Sequence, residues 1–243
     1  MNSRKKIHLA LVLLFTIVFS SCISDLFGIT GKGSIVTQVR PLTSFQSVSL
    51  NNAAKVDIVK GDSFKVEVSD YENLVKYLSV KVSNHVLQIS TDPVYTLLTN
   101  SQAKVTITMP DSLTSVTLMG SGDINLNSAF KDFQSAIILG SGNIKANQSL
   151  NIAKLNASIA GSGNITASGY VSVLTGTISG SGNLLLSNLY ASSATCNISG
   201  SGNMNLAVSN QLKASITGSG NIIYSGTPTL DISITGSGKV IHN

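Results

Sequence analysis

Most of the chain from residue 116 onward alternates between apolar and polar positions. Representative stretches are Ala157-Ser158-Ile159 and Ala214-Ser215-Ile216-Thr217, in which every second side chain is apolar. A period of two directs alternate side chains to one face of a β-strand, where they are buried together. The pattern therefore predicts a succession of short strands that each turn one face toward a common core.

A Gly-Ser-Gly triplet separates these strands and recurs seven times. Successive triplets begin 20, 21, 19, 20, 18 and 18 residues apart. A repeat period near twenty residues is typical of a solenoid in which each repeat forms one coil. The triplets begin at Gly120, Gly140, Gly161, Gly180, Gly200, Gly218 and Gly236.

The positions around each triplet predict columns of side chains along the stack. The residue two places before the triplet and the residue two places after its end are aliphatic or Met, which indicates two inward columns. The residue directly after the triplet is asparagine in five repeats, and stacked asparagine amides form hydrogen-bonded ladders. These asparagines are Asn143, Asn164, Asn183, Asn203 and Asn221.

Glycine suits such corners for two reasons. It adopts positive φ angles without steric cost, and corners of successive coils lie about 4.8 Å apart, which leaves little room for side chains. We therefore predict an all-β fold, a parallel β-helix of about seven coils over residues 116–243.

Residues 34–115 lack the triplet but still alternate. A hairpin is expected around a turn at residues 83–85, and a strand over 104–109 is stopped by Pro110. Because a stack of sheets needs a polar cap at its end, we interpret residues 34–115 as a β-rich capping segment. We expect 34–243 to form one continuous domain.

The first residues predict export. A basic stretch that ends at Lys6 precedes an apolar run over 7–19, which is shorter than the roughly 20 residues of a membrane-spanning helix. Small residues then lead to Cys22, and this pattern resembles a bacterial lipobox. An ordinary secretory signal with an incidental cysteine is the alternative.

These features predict a signal peptide over residues 1–21 and a lipidated N-terminus with a linker over 22–33. Acyl chains on Cys22 would hold the protein to a membrane surface, which we expect to be the outer membrane. With the signal removed, 13 basic residues face 11 acidic ones. The net charge is then about +2, and we expect no nucleic-acid partner.

The order of these elements is similar to that of a known family. The turn Lys60-Gly61-Asp62, the strand from Val105 to Asp111 and the segment from Thr117 to Ile124 resemble the head GIN domain family. That family is also labelled DUF2807 or auto-transporter adhesin and is common in lipoproteins of Bacteroidetes. The resemblance covers about residues 35–243. It implies an all-β solenoid exported to the cell envelope, and it brings no catalytic residue.

A polysaccharide-processing lyase or hydrolase is the alternative function, because many parallel β-helices cleave acidic polysaccharides. Such sites need paired carboxylates, or a carboxylate cluster with basic residues or Tyr. The repeats contain only Asp123, Asp132 and Asp231, and no Arg. Asp123 and Asp231 are expected far apart along the stack. We therefore expect no catalytic residues and no enzyme.

No metal or other cofactor is expected either. Neutral Asn amides are poor substitutes for the carboxylates that Ca²⁺ prefers, and His85 and His242 lack partners at ligand spacing. Cys196 falls in an inward column, where a buried unreactive thiol is the simplest interpretation. If Cys22 is acylated, Cys196 has no disulfide partner.

Columns of Ser, Thr and Asn on the flat faces suit a glycan or an envelope protein. Aromatic side chains for stacking a sugar are limited to Tyr170, Tyr190 and Tyr224 in the repeats, and Tyr224 is in the inward register. The last coil, over 239–242, lacks a polar cap and predicts a homo-oligomer or a partner protein there. The sequence thus predicts a non-enzymatic, lipid-anchored envelope protein for adhesion, glycan or protein binding, or scaffolding.

Overall fold

A computed structural model describes residues 28–92 and 97–243. The predicted signal peptide, Cys22 and the first part of the linker lie outside these residues. Within the described ranges, no helix is long and apolar enough to cross a membrane. Among residues 28–92 and 97–243, the single helical element is a 3-10 turn over Val75–Tyr77, and the rest of these residues form strands and short connections.

The strands before the first Gly-Ser-Gly triplet are β1 (Gly28–Thr30), β2 (Ile35–Arg40), β3 (Ser47–Leu50), β4 (Lys55–Lys60), β5 (Lys65–Tyr71), β6 (Leu78–Ser83), β7 (Val86–Thr91), β8 (Leu97–Thr99), β9 (Lys104–Met109) and β10 (Ser115–Leu118). Those that follow it are β11 (Asp123–Leu126), β12 (Ser135–Ile138), β13 (Ile144–Ala146), β14 (Leu150–Ile159), β15 (Asn164–Thr166), β16 (Gly169–Ile178), β17 (Asn183–Ile198), β18 (Met204–Gly218), β19 (Asn221–Ser225), β20 (Thr229–Gly236) and β21 (Lys239–His242).

The repeats wind into a parallel solenoid. Strand segments that precede the triplets stack in the order β10, β12, β14, β16, β17, β18 and β20. Segments that follow the triplets stack in the order β11, β13, β15, β17, β18, β19 and β21. The seven corners between them lie one above another and bound six complete turns. The predicted all-β parallel solenoid is confirmed.

The predicted inward columns line one continuous core. Ile138, Ile159 and Ile216, each two places before a triplet, are all buried. The last rung differs, because no further strand stacks on β20 within the described residues. Ile232 and Ile234 continue the inward columns there, yet each is 42% exposed. A contact of this edge with a second copy or a partner protein stays a prediction.

The corners need glycine mainly because the coils approach closely. A Cβ atom at Gly142 would lie 1.6 Å from the carbonyl oxygen of Gly122 in the coil below. Positive φ explains fewer positions than the sequence suggested. Among the triplet glycines, only Gly218 and Gly236 have positive φ, at 135° and 123°.

The segment 34–115 is more than a cap, because β3 and β4 form a rung of the solenoid itself. β3 lies between β7 and β10, and β4 lies between β9 and β11. Asn52-Ala53-Ala54 takes the place of the triplet there, since the first corner packs on the backbone of Asn52 and Ala54. After β4 the chain reverses into antiparallel β5 and the β6–β7 hairpin. It returns to the solenoid at β10, which pairs with β3 on the side opposite β7.

Two carboxylates, one fully buried and one half-buried, connect strands in this part of the chain. Asp70 is fully buried and accepts hydrogen bonds from Ser101 Oγ at 2.6 Å and from the backbone N–H of Gln102 at 2.8 Å. Asp57 on β4 accepts a hydrogen bond from Asn125 Nδ2 at 2.9 Å and pairs with Lys104 Nζ at 3.0 Å. Each carboxylate therefore joins elements that are distant in sequence.

Candidate functional site

The asparagines after the triplets form a continuous hydrogen-bonded column. Each side-chain Nδ2 donates to the Oδ1 of the residue one coil below, at distances of 2.9 to 3.2 Å. The column begins at Asp123 and ends where the backbone N–H of Lys239 donates to Asn221 at 3.1 Å. Because these amides satisfy one another, the column connects successive coils and offers few free polar groups to a ligand. The residues in it are Asp123, Asn143, Asn164, Asn183, Asn203 and Asn221.

The acidic residues of the repeats lie apart. Asp123 is engaged in the asparagine column, whereas Asp231 pairs on the surface with Lys213 at 3.5 Å. Asp132 lines a cleft of about 200 Å³ together with Lys131 and Lys154. This cleft holds one carboxylate, whereas glycoside hydrolysis ordinarily uses two.

Residues considered for metal binding or redox chemistry have other surroundings. Across the described residues, no three His, Cys, Asp or Glu side chains lie close enough to share a metal ion. His85 occupies the β6–β7 turn, with its Nδ1 3.1 Å from the carbonyl oxygen of Ser44, and His242 packs on Tyr224. Burial raises the pKa of the Cys196 thiol to about 12, so the thiolate is scarce at neutral pH.

The most distinctive surface feature is a pair of stacked tyrosines. Tyr170 on β16 and Tyr190 on β17 are register partners, and their ring centroids lie 5.4 Å apart with an angle of 26° between the ring planes. The two side chains are 64% and 55% exposed. Large aromatic side chains with this much exposure are typical of binding surfaces, because burying them against a partner is favourable.

A recess opens beside this pair because the solenoid narrows there. The coil that starts at Gly180 has 20 residues, whereas the coil that starts at Gly200 has 18. The register accordingly shifts between β17 and β18, with Leu186 opposite Leu206 but Tyr190 opposite Ala207. Three residues of β17 thus have no counterpart in β18, and the shorter coil leaves a step in the surface at Tyr190.

The recess has a volume of about 410 Å³, within the usual range for small-molecule sites. Tyr190 and Tyr170 form one side of the recess. The buried Ala207 and Val208, which lie on β18 in the next coil, also line it. The β19–β20 connection completes it at Gly226, whose φ is 100° and whose Cβ, if present, would lie 2.0 Å from the carbonyl oxygen of Val208. Glycine is therefore required where this connection approaches the lining of the recess.

Hydroxyl groups supply the polar part of the lining. Ser192, Ser209, Ser225 and Thr227 line the recess, and none of the described residues that line it is charged. Sequence reasoning identified both tyrosines but did not bring them together. The signal was present, because Tyr170 and Tyr190 are 20 residues apart, one repeat length.

Comparisons with known proteins agree on the fold. A family model described as "Putative auto-transporter adhesin, head GIN domain" (DUF2807) matches residues 44–228. No curated protein matches the sequence of this chain.

Several solved structures of similar chains share the architecture. A "putative adhesin" from Bacteroides fragilis is 23% identical with a TM-score of 0.81, covering 89% of this chain and 100% of that one. A "putative lipid binding protein" from Parabacteroides distasonis is 24% identical with a TM-score of 0.76, covering 88% and 99%. A "putative adhesin" from Parabacteroides merdae is 20% identical with a TM-score of 0.73, covering 89% and 99%.

Proposed function

The chain belongs to the DUF2807 head GIN domain family, and on this basis we propose that it is a non-enzymatic binding protein of the cell envelope whose contact surface is the tyrosine recess. The family description and the names of the similar structures support a role in adhesion. The recess adds a specific place for the contact on this chain.

One observation carries the proposal, namely the exposed stacked pair Tyr170–Tyr190 beside a recess of about 410 Å³. Both strands that hold the tyrosines are paired along their length with neighbouring coils, so the platform is fixed by the sheet. A rigid aromatic platform binds at a low cost in conformational entropy, because few side-chain torsions have to be ordered. This arrangement suits a surface that captures a partner without changing it chemically.

The N-terminal sequence supports attachment to the outer membrane. A basic stretch, an apolar run of 13 residues and small residues before Cys22 together resemble a lipoprotein signal. Diacylation of Cys22 would hold the binding domain at a membrane surface. Mass spectrometry of the N-terminal peptide tests this step, because acylation adds the mass of the lipid and the Cys22→Ser variant abolishes it.

An adhesion assay tests the function with the full-length chain displayed on cells. The double variant Tyr170→Ala/Tyr190→Ala is expected to lose adhesion to the native partner surface. Leu139→Ala is the matched control, because Leu139 is another exposed large apolar residue on a different part of the solenoid. Equal adhesion by the native chain and the double variant would contradict the proposed contact surface.

The enzymatic alternative is tested in the same preparation. Polysaccharides incubated with the full-length chain are expected to remain intact. Turnover that disappears in the Asp132→Asn variant would contradict the proposal and would identify the small cleft at Asp132 as a reaction centre.

A further inference from the structure

The two tyrosines form a short aromatic ladder that no aromatic side chain continues in the next coil. In this column of register partners, the exposed Tyr170 is followed by the exposed Tyr190, and Tyr190 is followed by the buried Ala207. Because the rings stack on each other along the column, the second face of Tyr190 is turned toward the Ala207 rung. Alanine has no ring to continue the ladder, and the recess lies at this rung.

We infer that the recess binds a neutral glycan, with one pyranose ring stacked on the free face of Tyr190 in the place of a third aromatic side chain. The inference rests on the proposed function and names the ligand class of the same site. One face of a pyranose ring presents C–H groups, and such a face packs on an aromatic ring as another apolar group does. A recess of about 410 Å³ has the size of a site for a short oligosaccharide.

The polar lining suits sugar hydroxyls. Ser192, Ser209, Ser225 and Thr227 contribute hydroxyl groups around the recess. A hydroxyl both donates and accepts hydrogen bonds, so it pairs with a sugar hydroxyl in either direction. Ser209 already donates to Asn210 Oδ1 at 3.0 Å, which orients its oxygen as an acceptor. The lining thus combines one aromatic wall with several adaptable hydroxyls.

The absence of charge in the lining narrows the ligand class. None of the described residues that line the recess is Lys, Arg, Asp or Glu. Single-stranded nucleic acids also stack on aromatic side chains, but they need a positively charged groove for their phosphates. Acidic polysaccharides need cations to pair with their carboxylates for the same reason. A neutral sugar has neither requirement.

A proline-rich peptide is the other ligand that packs on exposed tyrosines. A polyproline helix repeats every three residues, about 9 Å, and places its rings between aromatic ridges at that spacing. Tyr170 and Tyr190 are centred only 5.4 Å apart and stack on each other, which leaves no slot between them. The geometry therefore favours a single ring on the outer face of Tyr190.

The experiment titrates the full-length chain in mild detergent with a panel of neutral oligosaccharides by isothermal calorimetry. Acidic oligogalacturonate and a proline-rich peptide form separate arms. The expected result is binding of at least one neutral oligosaccharide. Tyr190→Ala is expected to weaken it about tenfold, whereas Tyr190→Phe retains the ring and stays near the native affinity. Leu139→Ala is the control and is expected to bind as the native chain does.

The other outcomes separate the ligand class inferred for the recess from the proposed contact surface. Three results would overturn the inference. The first is binding of the acidic glycan or the peptide in place of neutral sugars, the second is no binding at all, and the third is equal affinity for the native chain and Tyr190→Ala. If adhesion of displaying cells still depends on the two tyrosines in that case, the proposed contact surface stands and only its ligand class is wrong. If adhesion does not depend on them, the proposed function fails as well.

Discussion

Asn183 lies directly above Asn164 in the stack, and its Nδ2 donates a hydrogen bond of 2.9 Å to the Oδ1 of Asn164. Asn183 Oδ1 in turn accepts hydrogen bonds from both the backbone N–H and the Nδ2 of Asn203. Asn183→Ala removes this acceptor and leaves two donors of Asn203 without their partner. We expect it to lower the free energy of unfolding by about 1–3 kcal/mol, measured by urea denaturation.

Asn147→Ala is the matched control for the asparagine column. Asn147 is exposed and donates one hydrogen bond, to Asn127 Oδ1 at 2.7 Å. Water replaces that bond readily, so the expected loss is within about 0.5 kcal/mol. Equal losses for Asn183→Ala and Asn147→Ala would mean that the column contributes no special stability.

The corner glycines are expected to tolerate substitution far less than a glycine with ordinary surroundings such as Gly28. Gly142→Ala would place a Cβ 1.6 Å from the carbonyl oxygen of Gly122, so two coils must separate. A loss of about 3 kcal/mol or more is expected in thermal or urea unfolding. Gly28→Ala is the comparison, because its Cβ would meet Thr99 Cγ2 at an ordinary 3.4 Å. Two variants of equal stability would show that coil spacing does not require glycine.

Stability should fall in acid through Asp57. Burial raises the pKa of this carboxyl, but the hydrogen bonds from Lys104 and Asn125 and the charges of Lys104 and Lys55 together hold it below the ordinary value of 3.8. A carboxyl whose pKa is lower in the folded chain stabilises the fold above the unfolded pKa. That contribution is lost as the pH falls below about 4 and through the folded-state pKa.

The measurement compares urea midpoints of the native chain and Asp57→Asn at pH 7 and at pH 3. The native chain is expected to be the more stable at pH 7. The gap, meaning the difference between the two urea midpoints, should narrow at pH 3. In a Lys104→Met background the gap at pH 7 should shrink, because the paired cation is gone. A gap that is independent of pH would contradict this role of Asp57.

The Cys196 thiol should be unreactive in the folded chain. It is buried, and its pKa is raised to about 12, so almost no thiolate exists at pH 8. With Cys22→Ser, which leaves Cys196 as the only cysteine of the sequence, a thiol reagent should label the chain only after urea unfolding. Rapid labelling without urea would show that the core opens around β17.

The repetitive part of the fold could be predicted because its determinants are local. Alternation around each triplet specifies which residues face inward, and Ile159 and Ile198 lie in the core as their positions predict. The β3–β4 rung escaped prediction because Asn52-Ala53-Ala54 replaces the triplet there. Its position inside the stack depends on pairing with β10, more than sixty residues later in the chain, which no local pattern indicates.

Only part of the candidate site, the pair of tyrosines, could be predicted from the sequence, for a related reason. Tyr170 and Tyr190 are apparent as exposed aromatics, and their spacing of 20 residues equals one coil. The recess, however, arises from the register shift between Leu186 and Tyr190, where three residues of β17 have no counterpart in the next coil. Repeat lengths of 20 and 18 show that a coil shortens, but only the structure shows at which corner.

The most direct test of the binding site is a crystal structure of the chain with a neutral oligosaccharide that binds in solution. We expect a pyranose ring stacked on the face of Tyr190 that is turned toward Ala207, with sugar hydroxyls near Ser209, Ser225 or Thr227. A sugar bound at another surface, with the recess occupied only by water, would contradict the account.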